Sequence, residues 1–274
     1  MSTHHATANP AFAQRLLKIG AGLWFSVAVV GQLAFIVFIL AFYGVRTFTG
    51  DLAGWNDKAL IKGYVEGDHP GNLVFAVHVL GASVVTLAGL IQMAPVLRRR
   101  WPALHRWSGR VFLGLGGLLA VSGIWLTVVR ETYLSVISAV AILLNGVLVL
   151  AFAVLAWRRA RQRRYIEHRA WAFRAFMAIS GVWFLRVGLM GWILINRGPV
   201  GMSRDMSGPT DIVMTFGSYL IPLAVLELYL AAGRGGRGLK LVASTVLLLA
   251  SAYTAAGVFG TVVLMWGPYL LGGR

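Results

Sequence analysis

Seven apolar stretches, each long enough to cross a bilayer, fill most of this chain of 274 residues, and its charges fall almost entirely in the gaps between them. The stretches run at about 20–43, 73–97, 111–129, 134–157, 171–195, 212–231 and 241–266, near or above the roughly 20 residues that a hydrocarbon core of about 30 Å requires. In lipid every backbone N–H and C=O has to be satisfied within its own segment, so runs of this length predict helices, not the alternating ten-residue strands of a barrel. The predicted fold class is all-α: a polytopic transmembrane helical bundle that takes in residues 1–274 as one integral membrane domain. A composition 58% hydrophobic and 12% charged excludes a soluble domain, because such a surface could not be covered with polar groups.

Charge placement gives the orientation. With the N-terminus cytoplasmic, Arg15 and Lys18, five arginines from Arg98 to Arg110, seven from Arg158 to Arg174, and Arg234, Arg237 and Lys240 lie inside, 17 basic residues in all. Seven lie outside: Arg46, Lys58, Lys62, Arg130, Arg197, Arg204 and Arg274. Only Glu167 and Glu227 join the inner set, so 17 − 2 puts +15 of the net +16 on one face. This is a strong form of the positive-inside asymmetry. The basic residues read as span anchors that attract anionic headgroups on the cytoplasmic side, and a pI near 11.3 needs no nucleic-acid partner.

The first apolar run lacks an early small-residue cleavage site and reads as an uncleaved span. With no cysteine there is no disulfide, thiolate metal site or covalently attached haem, which leaves His, Met, carboxylate and Tyr as metal ligands. Most of the ten Trp residues stand near span ends, where an amphipathic ring is favoured at headgroup level. The longest outer segment, 46–72, is punctuated by Gly50-Asp51, Gly67-Asp68 and Pro70-Gly71 and predicts a short structured cap; segment 196–210 is expected beside it. Two inner segments echo each other, His105-Arg106-Trp107 and His168-Arg169-Ala170-Trp171.

Polar side chains at membrane depth are costly and usually face the bundle interior. On the second span His78, Ala82, Gly89 and Gln92 share one helical face, and on the fifth His168 and Arg186 share one stripe, roughly 27 Å apart on a straight helix. Arg186, near the middle of its span, has three readings: a pair with Glu227 across the bundle, bonds to carbonyls and to Asn145 or Gln32, or the capture of an anionic ligand group. His78 is either a satisfied interior hydrogen-bonder or a haem ligand or proton carrier. His105 and His168 could meet across spans three and five and share a metal, or each could orient its neighbouring arginine. His105, Arg106, Arg110, His168, Arg169 and Arg174 are expected to cluster at the inner mouth. His78 and Arg186 are expected to face one cavity in the outer half. The candidate cofactor-binding set is therefore His78, Arg186, Gln92, His105, His168 and Arg174.

The string His78-x-x-Gly81, Gly89-x-x-Gln92-x-x-Pro95-x-x-Arg98, Pro102-x-x-His105-Arg106-x-x-Gly109-Arg110, then His168-Arg169-x-Trp171-x-x-Arg174 and Arg186, resembles a bacterial family of multi-pass membrane proteins, domain of unknown function 2306. The likeness covers about 72–186; Phe173 and Phe112 depart from that family's commoner methionine and tyrosine. It implies a multi-pass protein of the bacterial inner membrane and brings no activity with it. A weaker likeness is to b561-type cytochromes, which hold bis-histidine haems between helices; here a haem would need His69 folded inward, a methionine such as Met190, or five-coordinate iron. Three functional classes follow: a redox protein binding haem b or a quinone, a small-molecule or ion transporter, and a non-catalytic assembly protein. No Ser/His/Asp triad signature, phosphate loop or zinc-protease motif is present.

The odd span count and the basic asymmetry predict Met1 inside and Arg274 outside. Reporter fusions at the two termini should report opposite compartments; the same compartment for both would exclude seven spans.

Overall fold

The computed structural model describes residues 10–58 and 62–271. All of its regular structure is helical. Eight long helices build it: α1 (Ala11–Thr49), α2 (His69–Met93), α3 (Pro102–Val128), α4 (Val136–Arg161), α5 (Tyr165–Ile179), α6 (Gly181–Asn196), α7 (Pro209–Arg234) and α8 (Arg237–Leu270). Six are individually long and apolar enough to cross a membrane, and α5 with α6 passes the same test only as a bent pair, which gives up to seven spans. Val30, Leu33, Val37, Leu249 and Phe259 point outward, an apolar jacket that only lipid chains can cover. The termini Met1 and Arg274, on which the predicted orientation was framed, lie outside the described residues.

Local chemistry sets the helix ends. Asp68 accepts the Gly71 amide at 2.9 Å and starts α2 a turn earlier than hydropathy indicated. Pro95 ends it early, because the residue before a proline is driven out of the helical region; Ala94 is extended, with ψ 106°. Ser135 and Ser138 form a reciprocal capping box on α4. Asp211 turns back to accept the amides of Gly208 and Ser203, at 3.2 and 2.7 Å, and thereby fastens loop 196–210 to the start of α7.

The fifth span corrects the sequence reading. The stretch 171–195 is not one helix: its two halves meet at Ser180 with a bend of 56°, so the straight stripe from His168 to Arg186 does not exist. No proline lies there. The bend is held by side chains from both flanks. Asn145 on α4 donates to the Ala178 carbonyl at 3.1 Å, and Gln32 on α1 donates to the Ser180 hydroxyl at 3.1 Å. Gly181 makes room, since a Cβ there would sit 3.0 Å from the Asn145 amide nitrogen. The inner half, α5, leans on α4 and α7, whereas the outer half, α6, leans on α8 and α7. The span thus crosses the bundle diagonally.

On the face predicted to be outer, the cap is present in residues 50–58 and 62–68 and is held by two arginines. Arg46, at the outer end of α1, pairs with Asp57 at 2.9 Å. Arg130, just past α3 and 7% exposed, pairs with Asp68 at 3.0 Å and donates to Asn72 Oδ1 at 2.7 Å and to the Gly63 and Gly71 carbonyls at 3.1 and 3.2 Å. Trp55 seals the join, buried against Phe75 with ring centroids 5.4 Å apart. Arg130→Met should therefore loosen the cap by on the order of 3 kcal/mol, the scale of breaking a buried ion pair. Hydrogen exchange should accelerate in residues 62–72 while α5 and α7 keep their protection.

Candidate functional site

In the outer half, α1 and α8 each contain one π-helical turn, at Ile39–Gly44 and Thr261–Trp266. Such turns carry one residue more than an α-turn, re-aim the side chains that follow, and recur at functional sites. Here they bring Phe42, Tyr43, Trp266 and Tyr269 onto one wall with Phe35 and Phe38. Trp266 stacks on Phe35 and Phe38, centroids 5.5 and 5.2 Å away, and Phe42 stacks on Phe38 at 5.5 Å.

Three cations stand against this wall. Arg46 lies 4.1 Å from the Phe42 centroid, Lys58 5.0 Å from Phe38 and Arg186 5.5 Å from Phe35. Arg46 is neutralised by Asp57 and Asp51. Arg186 and Lys58 have no carboxylate among the described residues.

Arg186 donates to the Val182 carbonyl one turn back, at 2.9 Å. A guanidinium has five N–H donors, and no other protein acceptor for this one occurs among the described residues. The side chain is largely enclosed by the bundle. Tyr43 and Lys58 are within electrostatic reach of it, and Tyr269 and Arg46 within reach of Tyr43. Glu227 does not serve as its counter-ion: both carboxylate oxygens bond Arg174, at 2.6 and 2.8 Å. Asn145 and Gln32 are engaged at the Ser180 bend. Of the three readings of Arg186, the structure shows the bond to a carbonyl, that of Val182, and no pair with Glu227.

Lys58 descends from the cap onto the wall. Burial, with the Arg186 charge below it, pushes its ammonium down to about 7 from the ordinary 10.5.

His78 stands elsewhere. Its Nδ1 is 2.8 Å from the Ser122 hydroxyl on α3, and its ring edge lies against Gly123, where a Cβ would be 3.1 Å from Cε1. No hydrogen bond or ion pair joins it to Arg186 among the described residues. A bis-histidine haem does not fit these surroundings: His69 is exposed at the start of α2, and Met190 packs toward Gly260 of α8.

At the opposite end of the bundle the structure brings His105 near His168 and Arg98. Gln92 donates to the His105 carbonyl and to Ser108, both at 2.6 Å, and so clamps α2 to α3. The His105 Nδ1 is buried without a partner, while His168 Nδ1 sits 2.9 Å from the Ala156 carbonyl. Arg174 and Arg110 lie over Trp171 and Trp107, 4.5 and 4.6 Å from the ring centroids. No group of three or more His, Cys, Asp or Glu side chains able to hold a metal occurs among the described residues.

The family model described as a predicted membrane protein (DUF2306) matches residues 75–230, more than half of the chain. The chain belongs to that family. No curated protein and no solved structure matches it. The DUF2306 stretch takes in His78, Gln92, His105, His168, Arg174 and Arg186, whereas Lys58 and the α1 and α8 faces of the aromatic wall lie beyond it. Sequence reasoning missed that wall and Lys58. Phe35, Phe38 and Phe42 at helical spacing were the available signal.

The lowered Lys58 pKa fixes a pH dependence. The unfolded chain holds this proton more tightly than the folded one, so stability rises with pH from about 7 to about 10.5 and is flat below that window. Lys58→Met should remove the slope and raise the melting midpoint of the purified protein by a few degrees at pH 6. An unchanged slope would show that Lys58 is solvated.

Proposed function

We propose that this multi-pass membrane protein binds a small carboxylate at Arg186 in its outer half and carries it across the membrane. The observation that supports this reading is Arg186 itself: a guanidinium in a membrane span whose one protein acceptor among the described residues is the Val182 carbonyl, beside a second cation and without an acid there. Insertion scales put an arginine at the bilayer centre at about 2.5–3.5 kcal/mol, and a cation–π contact returns about 0.5–2 kcal/mol. A carboxylate would accept two parallel N–H bonds from the guanidinium and cancel its charge. The aromatic wall favours a ligand with an apolar body behind that carboxylate.

Movement is read from the bent span. Non-helical backbone at membrane depth is tolerated where it lines a cavity, and broken helices recur at the sites of transporters. With α5 and α6 leaning on different partners, α6 can shift with Arg186 while α5 stays on α4. The runner-up is a quinone, whose ring would stack on the same wall and whose carbonyls would accept from Arg186. It is uncharged and would leave both cations uncompensated. At the cytoplasmic face, guanidinium groups over Trp107 and Trp171 suit contact with anionic headgroups, in what we take to be the bacterial inner membrane.

Binding of acetate, benzoate and phosphate to the protein in phosphatidylcholine nanodiscs, measured by calorimetry, tests the reading. Benzoate should bind, Arg186→Gln should weaken it at least about tenfold, or roughly 1.4 kcal/mol, and Arg186→Lys should keep part of the affinity. Proteoliposomes should take up labelled benzoate through the wild type only. A quinone analogue that binds where no anion does would replace this reading with the runner-up.

A further inference from the structure

We propose that Lys58 takes up one proton with each anion, so that the outer site loads a carboxylate and a proton together as a neutral pair. This rests on the anion reading above and adds its coupling. The geometry is that of two cations from different parts of the fold on one aromatic wall: Arg186 from α6 over Phe35, and Lys58 from the cap over Phe38, with Trp266 stacked on both rings. An anion held by Arg186 against that wall lies below the Lys58 amine.

The charged and titratable groups around this amine are few. Among the described residues Arg186 of α6 acts on it directly, and Tyr43 of the π turn of α1, itself within reach of Tyr269 and Arg46, acts on Arg186. The carboxylates of Asp51 and Asp57 are turned to Arg46. No carboxylate among the described residues is paired with Arg186 or Lys58. With Arg186 permanently charged, protonating Lys58 in the empty site places a second buried positive charge beside the first. An anion between them reverses that sign: it stabilises the ammonium as much as it is stabilised by Arg186. The step balances simply. The neutral amine gains a proton from water at the outer mouth, the resulting ammonium pairs with the carboxylate, and no bond in the anion breaks. Because Lys58 titrates at about 7 when the site is empty, the amine is largely neutral at pH 8 and available to take the proton.

Coupling also gives Lys58 a mechanical part. It hangs from the cap, which is tied to the bundle through Arg46 and Arg130, so an anion bridging Lys58 and Arg186 ties the cap to α6.

The test is benzoate calorimetry on the wild type in nanodiscs, in two buffers of different ionisation enthalpy, which counts protons taken up per benzoate. About 0.9 proton should be taken up at pH 8 and close to none at pH 5.5, the values for one amine titrating near 7. Lys58→Arg, which cannot lose its proton, should bind benzoate with no uptake at either pH and no pH dependence between them. Lys58→Met should bind more weakly and also without uptake; it serves where the arginine variant does not fold. Benzoate binding by the wild type without proton uptake at pH 8, or uptake that survives in both variants, overturns this inference and leaves the anion reading standing. Absence of benzoate binding at every pH from 5.5 to 8 overturns both.

Discussion

The structure turns on what can hold a guanidinium inside a bundle surrounded by lipid. Five other arginines of this chain show the ordinary answer. Arg46, Arg130, Arg159, Arg164 and Arg174 each pair with a carboxylate, and all of these lie at the cap or near the inner surface. The chain has nine acidic residues, and none faces Arg186. That arginine keeps its charge by a single carbonyl of its own helix and the face of Phe35, which leaves most of its donors for something that is not protein. A buried polar group left unbonded costs free energy, so the space in front of it has to hold water or a ligand.

The bent fifth span is the other half of that arrangement. A straight helix from α5 would stay on α4 and carry residue 186 with it; the bend at Ser180 transfers the outer half to α8. Gly257 allows the close approach there, since a Cβ on it would run into the Val187 carbonyl. The cost of the bend is met by neutral amides rather than by charges. Asn145 takes the Ala178 carbonyl and Gln32 takes Ser180, each leaving its own side-chain oxygen buried without a partner. Unsatisfied oxygens at the bend make its local energy shallow, because one ordered water or a small displacement can change which groups are paired.

Much of the architecture was legible because lipid enforces it. Span number, the outer cap and the depth of Arg186 follow from hydropathy and from the placement of charge, and both are one-dimensional properties. The helix ends moved by about a turn where Asp68 and Pro95 acted, as capping chemistry outranks hydropathy at boundaries. What stayed hidden was of two kinds. The break at Ser180 has no proline and is imposed by residues 33 to 148 positions away, so no local pattern marks it. The π turns are likewise silent: Ile39–Gly44 and Thr261–Trp266 read as ordinary apolar helix. Pairings across the bundle were hidden for the same reason, as in Glu227 taken by Arg174 and His78 turned to Ser122.

Lys58 shows how these hidden features combine. As a sequence letter it is one basic residue among seven on the outer side, and the positive-inside pattern gives it no role. Its position becomes meaningful only once α1 has been extended through its π turn. That extension brings the chain to Thr49 before the cap begins and leaves Lys58 above Phe38. The wall beneath it is aromatic, so it can hold a cation weakly by its ring faces but cannot neutralise one. Arg186 sits at the far end of the same wall under the same limitation. Two cations held weakly on rings, one fixed in the bundle and one carried by the cap, are jointly stabilised by an anion and by little else the structure provides. In the proposed anion reading, that shared need is what would couple the cap to the bent span.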